Sequence, residues 1–260
     1  MLLGVNIDHI AVLREARQIN DPNPIDALGI VQRAGANQIT IHLREDRRHI
    51  HDSDAKNIID LSPLPINLEC SVNPDIIEIV AKLRPHRATI VPENRVEVTT
   101  EGGLDLNEPN FANIDKSVHY LKAREIETSL FIDPTIEAVR AAKTIGVEWV
   151  ELHTGTYSNI YAMLFSNLSK THHSIDELSL ERSKLKLLLK KELTRIKEAT
   201  FEAHEFGLKV AAGHGLNYQN VKEIAKIEGI EELNIGQSII ARSVFTGLER
   251  AIKDMIGLIQ

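Results

Sequence analysis

Leu2-Leu3-Gly4-Val5-Asn6-Ile7-Asp8-His9 reads as a short apolar strand that ends in Asn, Asp and His. A doubly wound open sheet would usually carry a glycine-rich turn directly after its first strand, where backbone must approach a dinucleotide. Here polar side chains stand at that exit. Working outward, apolar runs of strand length recur at 38–43, 66–70, 87–92, 127–133, 149–152, 208–212 and 232–235. Helical patterns follow at 24–34, 53–60, 74–83, 112–124, 135–145, 183–206, 218–227 and 239–258. Strands too apolar to face water, alternating with amphipathic helices, require a parallel sheet covered by helices. Eight such units predict a (β/α)8 TIM barrel, one α/β domain over residues 1–260 with additional helices.

Local chemistry supports several helix ends. Asn23-Pro24, Asn73-Pro74 and Asp133-Pro134 each place a capping side chain before a proline, whose missing N–H costs nothing in a first helical turn. Gly35, Gly146, Gly207 and Gly229 fall just after apolar helical runs, where a left-handed residue is expected. Two stretches exceed normal barrel connections, 93–111 and 156–180. The second predicts a lid or subunit-contact segment, because long loops within compact domains are commonly functional.

Thirty Lys plus Arg against 37 Asp plus Glu give a formal charge of −7. That balance supplies no general basic surface for nucleic acid or an anionic membrane, so an anionic ligand must meet a local positive site. The lone Cys70 excludes an internal disulfide framework and fits a reducing compartment, with the cytoplasm as the expected location. The N-terminus lacks the basic start and long apolar run of a signal peptide, and no stretch reaches the ~20 apolar residues of a membrane span.

Barrel enzymes carry their chemistry at the carboxyl ends of the strands, and polar residues collect there in this chain. The first strand gives Asn6, Asp8 and His9, the second Thr40, His42 and Arg44, and the third Asn67 and Glu69. The sixth gives Glu151 and His153, the seventh His214, and the eighth Asn234 and Gly236. Burying an unpaired polar group costs about 2–7 kcal/mol by transfer measures, so together these residues predict an active site. Singly, each has a structural alternative: Asp8 pairing Arg14 or Arg17, or Glu69 pairing Arg44. Gly213-His214-Gly215 and Asn234-Ile235-Gly236-Gln237-Ser238 close the seventh and eighth strands, where barrels often bind phosphate through backbone N–H groups. After the second strand, Arg44 is the better ligand for a further anion, whereas Arg47 and Arg48 beside Glu45 and Asp46 predict a self-paired loop.

His49-Ile50-His51 stands after the wrong strand for a metal-dependent hydrolase barrel, so no metal is expected. No Lys ends the fifth, sixth or seventh strand, and Lys209 begins its strand, which disfavours Schiff-base chemistry. Trp149 and Phe131 read as core or wall residues, and His86, His119 and His204 receive no functional role.

Taken in order, 4–9, 41–50, 67–69, 98–105, 151–155, 213–216 and 233–236 resemble the motifs of the pyridoxine 5′-phosphate synthase family of deoxyxylulose-dependent vitamin B6 biosynthesis. The resemblance runs from about Leu2 to Leu258. It implies a cytoplasmic homo-octamer of TIM barrels without a cofactor. The implied substrates are two phosphorylated small molecules, 1-deoxy-D-xylulose 5-phosphate and 3-amino-2-oxopropyl phosphate, which condense into a pyridine ring. Carried over motif by motif, His42 and Glu69 would accept protons, His214 would donate one and Glu151 would stabilise a charged transition state. Asn6, Arg17, Gly215, Gly236 and Gln237 would bind the aminoketone phosphate; Asp8, His9, Arg44, His49 and Thr99 would bind the deoxyxylulose phosphate. Gln237 departs from the pattern, since many family members carry His there, and the segment around 167–192 is longer than typical. Two other readings stay open: a phosphate-sugar isomerase or aldolase acting on one substrate, and an inactive phosphometabolite-binding barrel.

Overall fold

Eight parallel strands close on themselves in sequence order, each hydrogen-bonded to the next and the eighth to the first. The computed structural model describes residues 1–93 and 102–260. The strands are β1 (Leu2–Asn6), β2 (Gln38–His42), β3 (Ile66–Cys70), β4 (Arg87–Ile90), β5 (Glu127–Ile132), β6 (Trp149–His153), β7 (Lys209–Gly213) and β8 (Glu232–Ile235). The helices are α1 (Asp8–Arg17), α2 (Leu28–Ala34), α3 (Asp52–Leu61), α4 (Pro74–Leu83), α5 (Asn110–Lys122), α6 (Ile136–Ile145), α7 (Gly155–Phe165), α8 (Arg182–Glu205), α9 (Val221–Ala225), α10 (Gln237–Thr246) and α11 (Leu248–Ile259). The predicted TIM barrel is therefore present, with helices beyond one per strand. Among the described residues, no helix is long and apolar enough to cross a membrane.

Side chains of alternate parity divide the work of each strand. Leu3, Val5, Ile39, Ile41, Ile66, Leu68, Ala88 and Ile90 belong to the apolar core that the helices cover. The opposite parity carries polar residues into the barrel. At the amino end, Arg87 donates to Glu232 at 2.8 Å, Gln38 donates to the same carboxylate at 3.1 Å, and the guanidinium stacks 3.8 Å from the centroid of the Trp149 ring. One layer up, Thr89 donates to Asn67 at 2.7 Å and Thr40 to Asn234 at 3.3 Å. The register then sets His42 against Glu69 and Gly213 against Asn234 toward the carboxyl end.

Three readings need correction. A helix precedes the first one expected at 24–34: the exit of β1 is the start of α1, which has Asp8 in its first turn and Arg14 and Arg17 in its last. Those charges complement the helix dipole, while the short buried stripe of Ile10 and Ala11 hides the helical period. The stretch 156–180, read as a long connection, begins as α7, whose Tyr157, Ile160, Met163 and Leu164 are buried, and continues through 3-10 turns at Leu168–Lys170 and Asp176–Leu178. The last predicted helix is two, α10 and α11, parted at Gly247 with φ 78°.

Asn23 and Asn73 accept from the N–H groups of Ile25 and Asp75 as helix caps, and Gly35, Gly146, Gly207 and Gly229 take positive φ as expected. Asp133 departs from this pattern. Thr135 caps α6 instead, accepting from Ala138 N–H at 3.1 Å.

The Arg87–Glu232 pair is nearly dry, so removing one partner strands the other charge. Arg87→Ala is expected to lower unfolding free energy by about 3–5 kcal/mol in urea titration. A loss below about 1 kcal/mol, the scale of a surface pair, would contradict the account.

Candidate active site

The carboxyl end of the barrel gathers histidines and carboxyl groups with few neutralising cations. Asn6 and Asp8 lock the exit of β1: Asn6 Nδ2 donates to Asp8 Oδ2 at 3.0 Å, and Asp8 N–H donates back to Asn6 Oδ1 at 2.9 Å. The other Asp8 oxygen accepts the His42 backbone N–H at 3.0 Å. Asp8 thus ties β1 to β2 and pairs with neither arginine of α1. Arg14 instead grips Asp54 on α3 through two bonds of 2.9 and 2.8 Å and donates to the carbonyl of His49 at 2.8 Å.

His42 stands between two carboxyl groups. Nδ1 lies 3.8 Å from Glu69 Oε2, and Nε2 lies 3.7 Å from Glu93 Oε2. Glu93 also takes Arg44 Nη1 at 3.4 Å. The sequence reading missed Glu93 because it saw only the start of a long loop, although its place just beyond β4 was a usable signal. The expected self-pairing after β2 holds for Arg48 with Asp46, whereas Arg47 reaches Asp52.

Burial controls the protonation of this mouth. Glu69 is held well above the usual carboxyl range by loss of water, with the nearby Glu151 and Asp8 charges adding to it and Arg44 opposing. Burial likewise raises Asp8, although His42 and Asn6 pull it back. Glu151 is 3% exposed and accepts from Asn234 Nδ2 at 2.8 Å. Desolvation pushes its pKa up to about 7 against that hydrogen bond. A Cβ on Gly213 would lie 2.2 Å from Glu151 Oε1, so glycine makes the space that this carboxyl occupies.

Across the mouth, His214 and Gly215 both take left-handed backbone, at φ 76° and 80°. Burial lowers the His214 pKa to about 4, with His153 beside it contributing, so the imidazole is neutral near pH 7. Phe131 and His153 wall this histidine, with ring centroids 6.2 and 5.1 Å away.

The ends of β7 and β8, where a phosphate corner is expected, adjoin each other and β1. Ser238 Oγ donates to the Leu216 carbonyl at 2.8 Å, joining the two turns. A Cβ on Gly236 would lie 2.8 Å from Asn6 Cβ, which places β1 against the same turn. Gln237 begins α10, whose first N–H groups lack intrahelical acceptors and suit an anion.

Of the other expected residues, His9 buries an Nδ1 that has no hydrogen-bond partner among the described residues. Arg17 is exposed at the end of α1, and no hydrogen bond or ion pair within the described residues holds it. His49 contributes its carbonyl to the Arg14 clamp. Thr99 lies outside the described residues. Asp133 and Asn234 join the site without having been selected for it, although Asn234, like His153, was visible among the polar residues at strand exits.

Residues 3–260 match the family described as pyridoxal phosphate biosynthesis protein PdxJ. The chain belongs to that family. It is 67% identical over 260 residues to a pyridoxine 5′-phosphate synthase of Aliarcobacter butzleri, covering 100% of this chain and 99% of the relative. It is 65% identical over 259 residues to a protein of the same name from a Sulfurovum species, covering both chains in full. Among solved structures, the tryptophan synthase α-subunit of Pyrococcus furiosus matches with a TM-score of 0.57 at 13% identity, over 100% of this chain and 96% of that one. Phosphoribosylanthranilate isomerase of Thermotoga maritima gives 0.55 at 11% identity, over 100% and 98%. These distant likenesses show the barrel fold alone, whereas the close relatives extend the family match along the whole chain.

The raised carboxyl in this family member has a stability consequence. Because the folded Glu151 pKa of about 7 exceeds its ordinary 4.5, folding stability falls as pH rises between those values. Glu151→Gln removes that loss and keeps an acceptor for Asn234. In urea titrations the variant is expected to gain on the wild type from pH 4.5 to 8; a gap constant across that window would contradict the assignment.

Proposed function

We propose that the chain is a pyridoxine 5′-phosphate synthase, condensing 1-deoxy-D-xylulose 5-phosphate with 3-amino-2-oxopropyl phosphate into pyridoxine 5′-phosphate with release of phosphate and water. One observation carries the chemical reading. Buried, proton-holding Glu69 and Glu151 share a barrel mouth with His42 and a neutral His214, where glycine-rich turns offer backbone N–H groups to phosphate. Joining an amine to a ketone and closing a ring requires repeated proton transfer at one place, which such a set provides.

In this reading, the aminoketone phosphate occupies the corner of Asn6, Gly215, Gly236 and Gln237, with Arg17 closing over it. The deoxyxylulose phosphate takes Asp8, His9, Arg44, His49 and Thr99. The amine attacks the ketone, and water leaves. His42 and Glu69 then accept protons during enolisation, and His214 gives a proton to a departing oxygen. Glu151 balances charge that develops during these steps. Glu69 acts as a base in its ionised form, which Arg44 favours and burial opposes. The condensation has no net change of oxidation state, so it draws on no electron carrier.

His214 has an electrostatic requirement. A phosphate at Gly215 brings negative charge beside the imidazole, which raises its pKa and makes a proton available for donation. Titration of the His214 ring by NMR is expected to shift from about 4 upward when inorganic phosphate saturates the protein. An unchanged titration under saturation would remove this route to the proton donor.

A cytoplasmic homo-octamer belongs to the same proposal. Val244 and Phe245 are strongly exposed on α10 and form the kind of apolar surface that an assembly covers. Light scattering checks the assembled mass against the 29.1 kDa chain.

The reaction is tested by mass spectrometry of the products from purified protein given both ketone phosphates together and each singly. Pyridoxine 5′-phosphate should form only with both. Turnover of one substrate alone would favour an isomerase or aldolase, and binding without turnover would favour the inactive barrel. His42→Ala is expected to lower kcat by about 10²–10⁴, the usual contribution of a positioned proton carrier; undiminished turnover would remove His42 from the scheme.

A further inference from the structure

His153 has no role in the proposed chemistry, yet the residue is 2% exposed and its ring lies beside His214. Its Nδ1 is 3.4 Å from Asp133 Oδ1, and the same oxygen accepts the Gly103 backbone N–H at 2.9 Å. Thr135 has taken the capping position of α6, leaving Asp133 free to face this histidine. The other ring nitrogen, Nε2, is buried without a hydrogen-bond partner among the described residues. A Cβ on Gly155 would lie 2.3 Å from this Nε2 and 3.0 Å from His214 Cδ2, so glycine keeps open the space between the rings. Phe131 stands edge-on to His153 at 5.3 Å and limits its rotation.

We propose that Asp133 and His153 form a positioning pair for His214. Asp133 takes the His153 Nδ1–H, which fixes one tautomer and leaves Nε2 as an acceptor facing the space beside His214. The oriented ring then forms one wall that sets the aim of His214. This inference rests on the proton-donor role of His214 in the proposed reaction. The ionisable groups around the pair are His214 on the β7 exit, Glu151 deeper on β6, and Arg195 on α8, whose charge reaches Asp133 while its own guanidinium pairs with Glu192. Asp133 lies below the usual carboxyl range, first because of His153, and therefore remains an anion through the neutral range.

The test combines imidazole nitrogen NMR with steady-state kinetics on the full chain. Wild-type His153 should carry its proton on Nδ1, and Asp133→Asn should weaken that preference. Asp133→Asn and His153→Gln should each lower kcat about 10–100-fold, taking as a guide the scale for losing the carboxylate that orients a metal-ligating imidazole, while both KM values hold. His153→Asn keeps an N–H near the original Nδ1 and should retain more kcat than His153→Gln. A proton on His153 Nε2 in the wild type, or undiminished kcat in folded Asp133→Asn, would overturn the pair. If the histidine variants fail to fold, Asp133→Asn decides the matter, since that side chain is 47% exposed and changes only in charge and one atom. If the wild type makes no pyridoxine phosphate but His153 and His214 still shift with Asp133→Asn, the pair stands and the proposed reaction falls.

Discussion

Burying Asp8, Glu69 and Glu151 in one barrel mouth, with little positive charge to neutralise them, is the constraint on which this structure turns. Water would stabilise three carboxylates; the closed barrel withholds it, and each group responds by holding its proton more tightly. The arrangement is costly for folding and useful for chemistry. It places groups that hold a proton beside histidines and polar strand ends in one mouth.

The amino end of the same barrel solves the opposite problem. Arg87 neutralises Glu232, Gln38 completes the carboxylate's partners, and Trp149 covers the guanidinium. Between the two ends, Thr89 donates to Asn67 on the adjacent strand and Thr40 reaches across β1 to Asn234. A barrel filled with branched apolar side chains would be the simpler solution to packing. Here ion pairing at the base and side-chain hydrogen bonds in the middle carry polar groups through the barrel to the mouth, where glycine-rich turns and histidines stand.

Much of this was legible in the sequence because strand period and turn chemistry agree. The eight strand positions, the glycine ends of several helices and the polar strand exits all reflect local rules. What failed was nonlocal or masked by composition. α1 and α7 begin directly at strand exits with Asp8 and Gly155, and their buried faces are short or shared with neighbouring elements. Asp133 precedes a proline as a cap would, but His153 and Gly103 compete successfully for its carboxylate. The contact of Glu93 with His42 and Arg44 exists only once β2 and β4 have been brought to the same rim. Only the family resemblance nominates Arg17 as an anion ligand, and its position leaves it exposed at a helix end.

The central physical claim is that this mouth stores protons on buried carboxyl groups before substrate arrives. Carbon-13 NMR of glutamate carboxyls, assigned with Glu69→Gln and Glu151→Gln, measures it directly between pH 4 and 9. The account predicts Glu69 titrating well above the usual range and Glu151 near pH 7. Titration of both near the ordinary value of 4.5 would contradict it.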